Sequence, residues 1–535
     1  MGRLLRRALL RGAAHAAGAV ALGACIPPAS APSSSPAGSP GTSSRVIGSN
    51  ASPLPVPSVE RLPRWRGFNL NERAPHRENK PLPYEQWDFD FMAEQGFNFV
   101  RLAEDPRRWT TIPGQINEAG IAETERAMGW ARERRIHVNL DMHAVPGYTE
   151  YTRPRVATLW EDGPAGDEFR RQFTEIWRAL AKRYRGIPSA ELSFDLINEP
   201  YDGVTPAAYV RAAEPVVAAI RAEDPSRLIV ADGTKWARIP VAELTRLKVA
   251  QSTHMYQPIQ LTHYKAGWVQ GSDKWPVPTW PLQPAANVFI AGPFHKDFQS
   301  ALILRGDFPA ASEVRITVDT VSKTADLVVR ADAKEILRKQ FAPGPGSGEW
   351  KISTFRPQYN LYEGTYDRPY VAAVPAAARE ISFEVAAGDW LTFSEIRVRR
   401  PGAAEVVLLP GSRNFGVRQS TYTIDAAGLA TPTSGHATDK EDLWQTEIAP
   451  WKGFADGGVG VHVGEFGAYN MTPHDVVLRW MTDVLELFRR AGSGWALWNL
   501  RGPFGPMDSE RSDVRYEDYK GHRLDQAMLE LLRAG

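Results

Sequence analysis

Short runs that are almost wholly apolar recur along this chain, separated by longer stretches in which apolar residues return every three or four positions. The runs are WRGFNL (65–70), FNFVRL (97–102), HVNLDMH (137–143), LSFDLINE (192–199), LIVADG (228–233), VAQSTHMY (249–256), GVHVGEFG (460–467) and GWALWNL (494–500). A short run with apolar residues on both of its faces suits a strand covered on both sides, as strands of parallel sheets are. The stretches between them, such as ETERAMGWARERR and DEFRRQFTEIWRALAKRYR, carry the helical period. Strand and helix therefore alternate, and eight such runs predict an α/β fold of the (β/α)8 TIM-barrel kind. An open doubly wound sheet is the alternative, but no glycine-rich phosphate turn follows the first run.

The rhythm breaks once. About two hundred residues separate Tyr256 from the seventh run, and from Pro284 to Ala427 the text alternates with a period of two, as in SEVRITVDTV, TADLVVRAD and REISFEVAAGDWLTFSEIRVRR. Alternation punctuated by turn residues predicts an all-β sandwich. It is expected to sit between barrel strands six and seven, in a loop of the kind that carries function. The predicted layout is a barrel over 63–283 and 428–535 with the sandwich, as a brace or a carbohydrate-binding module, over 284–427.

Composition changes this picture at the N-terminus. Arg3, Arg6, Arg7 and Arg11 precede the small, apolar run GAAHAAGAVALGA, which is too short for a spanning helix and reads as a signal peptide over 1–25. It ends at LGAC, which resembles a bacterial lipobox and holds the only cysteine, Cys25. The expectation is an exported protein anchored to a membrane by lipid on Cys25. Residues 26–62, rich in Pro, Ser, Ala and Gly, read as a tether with too little apolar surface to fold. A net charge of +1, with no basic stripe among the aromatics, speaks against a nucleic-acid partner. The 17 tryptophans provide core and, where exposed, faces for sugar rings.

In a parallel barrel the carboxyl ends of the strands converge on one face, where chemistry occurs. Those ends are Arg101, His143, Asn198, Glu199, His254, Tyr256, Glu465 and Trp498. Two glutamates facing one another across a pocket are what cleavage of a glycosidic bond needs: one protonated to release the leaving oxygen, one ionised to attack or stabilise the anomeric carbon. Metal chemistry is poorly supported, since there is no HExxH pair and the histidines are scattered over different strands, and no Gly-x-Ser-x-Gly elbow is present.

Taken together, RGFNLN, FNFVRL, FDLINEP, STHMY, QLTHYKAGW, VHVGEFG and GWALWNL resemble glycoside hydrolase family 5, the cellulase-type family with catalytic glutamates after barrel strands four and seven. The resemblance covers about Trp65–Tyr256 and Val459–Gly502 and leaves the sandwich outside. It implies Glu199 as general acid/base and Glu465 as nucleophile. It also implies that Asn198 holds the substrate's 2-hydroxyl, that Arg101 keeps the nucleophile ionised, and that Tyr256 hydrogen-bonds it. His143 and His254 complete the set, with Trp498 as the aromatic floor under the sugar; Trp495 competes for that last place, since only strand parity separates the two. No cofactor is implied.

The expected function is a retaining glycoside hydrolase on β-linked glycans, with endo-β-1,4-glucanase as the modal substrate class, acting as a monomer. The alternatives are a surface-displayed glycan-binding lipoprotein without turnover, and a transglycosylase or glycosidase on mannan or glycolipid substrates. Carboxyl groups of Glu199 and Glu465 about 5–5.5 Å apart are expected for a retaining enzyme.

Overall fold

The computed structural model describes residues 53–75, 82–148, 159–411, 415–434 and 437–535. The signal peptide, Cys25 and most of the tether lie outside these residues. Two compact units emerge, one built from residues up to Val269 and from Lys440 onward, the other from Gln270–Asp439.

The first unit is a closed barrel. Its strands are β1 (Arg66–Leu70), β2 (Phe99–Glu104), β3 (His137–Met142), β4 (Leu192–Asp195), β5 (Leu228–Asp232), β6 (Ala250–Met255), β7 (Val461–Phe466) and β8 (Gly494–Leu497). Each pairs in parallel with the next, and β8 pairs with β1, so the sheet has no edge and the doubly wound alternative is excluded. Nearly every strand residue is buried, which is why the runs read as continuously apolar. The helices between start on local signals. Asn117 accepts from the Gly120 N–H at the start of Glu118–Glu133, and Thr205 from the Ala208 N–H ahead of Pro206–Glu223, with Pro206 in the first turn.

Two strands stop three or four residues short of the carboxyl ends of their apolar runs, and they are the two that lead to Glu199 and Trp498. Beyond Asp195 the backbone no longer follows one partner: the Leu196 N–H donates to Val230 O (3.0 Å) on β5, and the Asn198 N–H to Met142 O (3.0 Å) on β3. Beyond Leu497 the Trp498 N–H turns to Phe466 O (2.8 Å) on β7 and the Leu500 N–H to Asn69 O (3.3 Å) on β1. In both segments the chain straddles two neighbours instead of pairing along one. Apolar pattern records burial, and it cannot register this loss of ladder. The strand that leads to Glu199 thus ends at Asp195, well before Pro200.

The amino-terminal end of the barrel is closed by Leu62, Trp65, Phe99, Leu228, Val230, Ala250 and Ala496, with Val59 packed against them. Val59 and Leu62 belong to the segment read as tether, but the Gly460 N–H donates to Val59 O (2.7 Å) and Leu62 is buried. Composition averaged over a Pro- and Ser-rich stretch hides two apolar residues that plug a barrel floor.

The second unit is all-β and contains the alternating region 284–427. Two long strands, Ser312–Ala331 and Ala378–Arg399, run antiparallel through several bulges and carry most of the other strands along their sides. Alternate residues of these strands, among them Ile316, Val318, Leu327, Val329, Phe383, Ile396 and Val398, meet in one apolar cluster.

Candidate active site

Arg101, on β2, lies fully buried at the hub of the carboxyl end of the barrel. Its Nη1 donates to Glu465 Oε1 (2.7 Å) and Asn69 Oδ1 (3.2 Å), its Nε to Asp195 Oδ2 (3.0 Å), and its Nη2 to Asn198 Oδ1 (3.0 Å). Nη2 also lies 3.0 Å from Asp141 Oδ1 and 3.6 Å from Asp232 Oδ2. Burial pulls an arginine toward neutrality, but here Asp141, Asp195, Asp232 and Glu465 outweigh it and hold the guanidinium charged.

Glu465 reaches this hub because β7 is bulged. The register of β7 slips between Val463 and Glu465 against β6, and again before Phe466 against β8. A bulge re-aims the side chain beside it. Gly464 is required there: a Cβ at this position would sit 2.4 Å from Ser252 Oγ and 3.1 Å from His254 Nε2. Asn69 Nδ2 pins the bulge by donating to Gly464 O (2.9 Å). The second oxygen of Glu465 accepts from the Tyr256 hydroxyl (2.9 Å). Burial raises the Glu465 carboxyl above the ordinary range, with His254 and Arg101 pulling it down. Tyr256 is itself raised, by burial and then by Glu465, so its hydroxyl keeps its proton and donates.

Glu199 is buried and has φ +47°, in the left-handed region. A non-glycine residue held there stores of order 1–3 kcal/mol and persists where its surroundings over-determine it. Its N–H donates to Asp232 Oδ2 (2.9 Å), and its Oε1 lies 2.8 Å from His254 Nδ1. That nitrogen is also 3.5 Å from Glu465 Oε2, while Nε2 is 3.4 Å from Asp232 Oδ2. Burial pulls His254 down, but Glu465 and Asp232 outweigh it and raise it well above the usual imidazole range. The result is an imidazolium wedged among the carboxyl groups of Glu199, Asp232 and Glu465.

His143 behaves oppositely. Its Nδ1 is 2.6 Å from Asp141 Oδ2, and its ring stacks on Trp498 at 5.3 Å and 12°. Burial lowers it to about 4, so it is neutral at pH 7. Trp498 is half-buried and joined to Asn499 by a cis peptide. Trp495 is fully buried against Phe97 and Phe466, so parity leaves the cleft position to Trp498.

All eight strand-end residues thus come together. The sequence reading passed over Asn69, Asp141, Asp195 and Asp232, which complete the charge network. A signal existed: "NLDMH", "SFDLIN" and "IVADG" each place an aspartate near the end of an otherwise apolar strand, and a carboxylate buried there has to be paired. Trp268 is half-buried in a cluster with His263, Tyr469 and Phe504 that backs Tyr256. Trp275 and Trp280 belong to the all-β unit.

Among the described residues, Glu199, His254 and Glu465 bring donor atoms within 4.8 Å of one another, a spacing a metal ion could bridge. A ligating histidine must be neutral, so an ion bound here would have to displace the proton that Glu465 and Asp232 favour on His254. What the arrangement does offer is two carboxyl groups with facing oxygens no more than 4.8 Å apart. One is pinned by a guanidinium and a phenol, the other by an imidazolium.

Comparison with known proteins agrees with this geometry. The family model "Cellulase (glycosyl hydrolase family 5)" matches residues 58–287. Endoglucanase C of Acetivibrio thermocellus is 28% identical over 194 residues, which are 35% of this chain and 54% of that one. Endoglucanase 3 of Fibrobacter succinogenes is 25% identical over 247 residues, 43% of this chain and 36% of that one. The chain thus spans about half, or less, of the length of these curated relatives. A crystal structure described as a glycoside hydrolase superposes over 88% of this chain and 99% of its own, with a TM-score of 0.55 and 25% identity. Residues 58–287, which supply six of the barrel strands together with Arg101 and Glu199, are thus the part of the chain that matches the cellulase family, glycosyl hydrolase family 5.

Proposed function

We propose that this protein is a retaining glycoside hydrolase that cleaves β-linked glycans, with the internal bonds of a β-1,4-glucan as its substrate class. The observation that carries the reading is the pair of buried carboxyl groups, Glu199 and Glu465, with oxygens within 4.8 Å and different partners. Retaining enzymes hold their carboxyl groups about 5–5.5 Å apart, whereas inverting enzymes need about 6.5–9.5 Å to admit a water. The relatives named endoglucanases support glucan and an endo mode.

Each residue has a task in this reading. Glu465 attacks the anomeric carbon, and Arg101 and Tyr256 orient its two oxygens so that one lone pair faces the sugar. Glu199 gives its proton to the glycosidic oxygen as that bond breaks, leaving a glycosyl ester on Glu465 and a free sugar hydroxyl. A water then loses its proton to Glu199 and attacks the same carbon, and Glu465 departs as a carboxylate. Asn198, its Oδ1 fixed by Arg101, is placed to meet the 2-hydroxyl, and Trp498 underlies the ring, buttressed by the neutral His143.

The test is reducing-sugar release from soluble β-glucans, mannans and xylans by wild type and Glu465→Gln. Activity on a β-glucan that falls by ~10⁴ or more in the variant is the expected result. Mannan or xylan as the preferred polymer would overturn the substrate class. A folded wild type idle on every polymer would overturn the enzyme reading.

A further inference from the structure

The backbone of Glu199 is held by side chains instead of by a ladder. Its N–H donates to Asp232 Oδ2 (2.9 Å), at the end of β5, and its carbonyl accepts from the Tyr148 hydroxyl (2.5 Å), in the loop after β3. Tyr148 is buried, with Trp160 edge-on at 5.2 Å and Tyr201 parallel at 6.2 Å. Asp232 is buried as well, and its Oδ2 also faces His254 Nε2 and Arg101 Nη2. Grips from the end of β5 and from the loop after β3 thus close on the two peptide groups that flank one left-handed residue. Rotation of φ out of that region would swing the Glu199 side chain away from its place opposite Glu465, and each grip opposes that rotation.

We propose that Tyr148 and Asp232 are positioning residues that clamp the peptide groups of Glu199 and so aim its carboxyl at the leaving oxygen. The inference rests on the acid/base role given to Glu199 above. It makes a distinction that a general structural role does not. A leaving group that departs unaided has little use for an aimed acid, while a sugar alcohol depends on it.

The experiment compares kcat/KM, which reports the bond-breaking half-reaction, on a soluble cello-oligosaccharide and on 2,4-dinitrophenyl β-cellobioside. Tyr148→Phe removes a single hydroxyl and keeps the ring in place. Asp232→Asn keeps the side-chain shape and removes its charge. Each is expected to lose about 10- to 100-fold on the oligosaccharide, within the range of a mispositioned general acid. Tyr148→Phe is also expected to stay within about threefold of wild type on the dinitrophenyl substrate, with Glu199→Gln showing the same split more strongly, whereas Asp232→Asn, which also alters the charge around Arg101 and His254, is expected to lose on both substrates but more on the oligosaccharide. Equal losses on both substrates, or no loss on either, would overturn the clamp. If Asp232→Asn does not fold, Tyr148→Phe alone decides, because it removes no charge from the hub. A wild type that turns over neither substrate would remove the acid/base reading itself, and with it the clamp, which separates that failure from a variant that merely lacks the split.

Discussion

The two ends of the barrel bury histidines to opposite effect. At the floor, His137 lies against Trp65 at 3.7 Å and Phe99 at 5.6 Å, its Nε2 2.7 Å from Ser193 Oγ, and burial lowers it to about 3. His462, beside Phe99 at 4.4 Å, is likewise lowered to about 3 by burial. At the mouth, His254 is as deeply buried, yet it is raised, because Glu199, Asp232 and Glu465 surround it. Burial by itself makes an imidazole neutral, and charge placed around it decides otherwise. The floor is a hydrophobic closure with hydrogen-bonded histidines set into it. The mouth is a charge network whose members tolerate burial only together.

The hardest test of that contrast is to remove the hub. Arg101→Met keeps a long apolar stem and deletes the charge that Asp141, Asp195 and Glu465 share. Breaking a buried ion pair from one side costs about 3–5 kcal/mol, because the partner charges remain. A fall of that size in urea-unfolding free energy at pH 7 is expected. A loss below about 1 kcal/mol, the size of a packing adjustment, would mean that the mouth is held as the floor is.

Next in size is the effect of His254 on the nucleophile. Burial raises the Glu465 carboxyl, and His254 is the foremost group opposing it. Glu465 must be ionised to attack, so activity falls as pH drops through its pKa, and a raised pKa starts that fall at higher pH than for an exposed glutamate. His254→Gln removes the opposing charge, moving the acidic limb of kcat/KM upward by about one unit, a tenfold loss on that limb. A pH profile with an unmoved acidic limb would show that the imidazolium does not reach Glu465.

Most of this architecture could be read before any coordinates, and its omissions share one origin. The barrel is legible because parallel strands buried on both faces leave an apolar trace that needs no partner to be recognised. The eight strand-end residues are legible because polar side chains stand out at the ends of such traces. Asp141, Asp195 and Asp232 stand at the same level, but taken singly each reads as a strand-end acid. What marks them is mutual: three carboxylates, one from each of three consecutive strands, need the one guanidinium that Arg101 supplies. The left-handed Glu199 leaves no trace in residue type at all, since a glutamate there breaks the usual preference for glycine and is held by Asp232 through space. The bulge on β7 shows only as Gly464 beside Glu465, and glycine in a strand has other uses.

The smallest effect is at the floor, and it separates the two histidine environments without touching catalysis. His462 is held neutral in the folded barrel, lowered to about 3, while in the unfolded chain it titrates near 6.5. The unfolded state therefore binds the extra proton, and the stability tied to His462 is complete above about pH 6.5 and declines as pH falls toward 3. Between pH 7.5 and 5.5 that decline is about 1.4 kcal/mol, one unit of difference in proton binding. Asp141, pushed up to about 7 by burial, titrates in the same window with the opposite sign, so the parent's slope alone is not diagnostic. The difference between parent and His462→Leu is, because Asp141 is common to both. The substitution removes the ring and its hydrogen bond to the Trp65 backbone, while Nε2 has no hydrogen-bond partner among the described residues to be left behind. Urea unfolding at the two pH values should show the variant losing about 1.4 kcal/mol less than the parent, with the acidic limb of kcat/KM unmoved. Equal losses would place a proton on His462 in the folded barrel, and the floor would then be charged like the mouth.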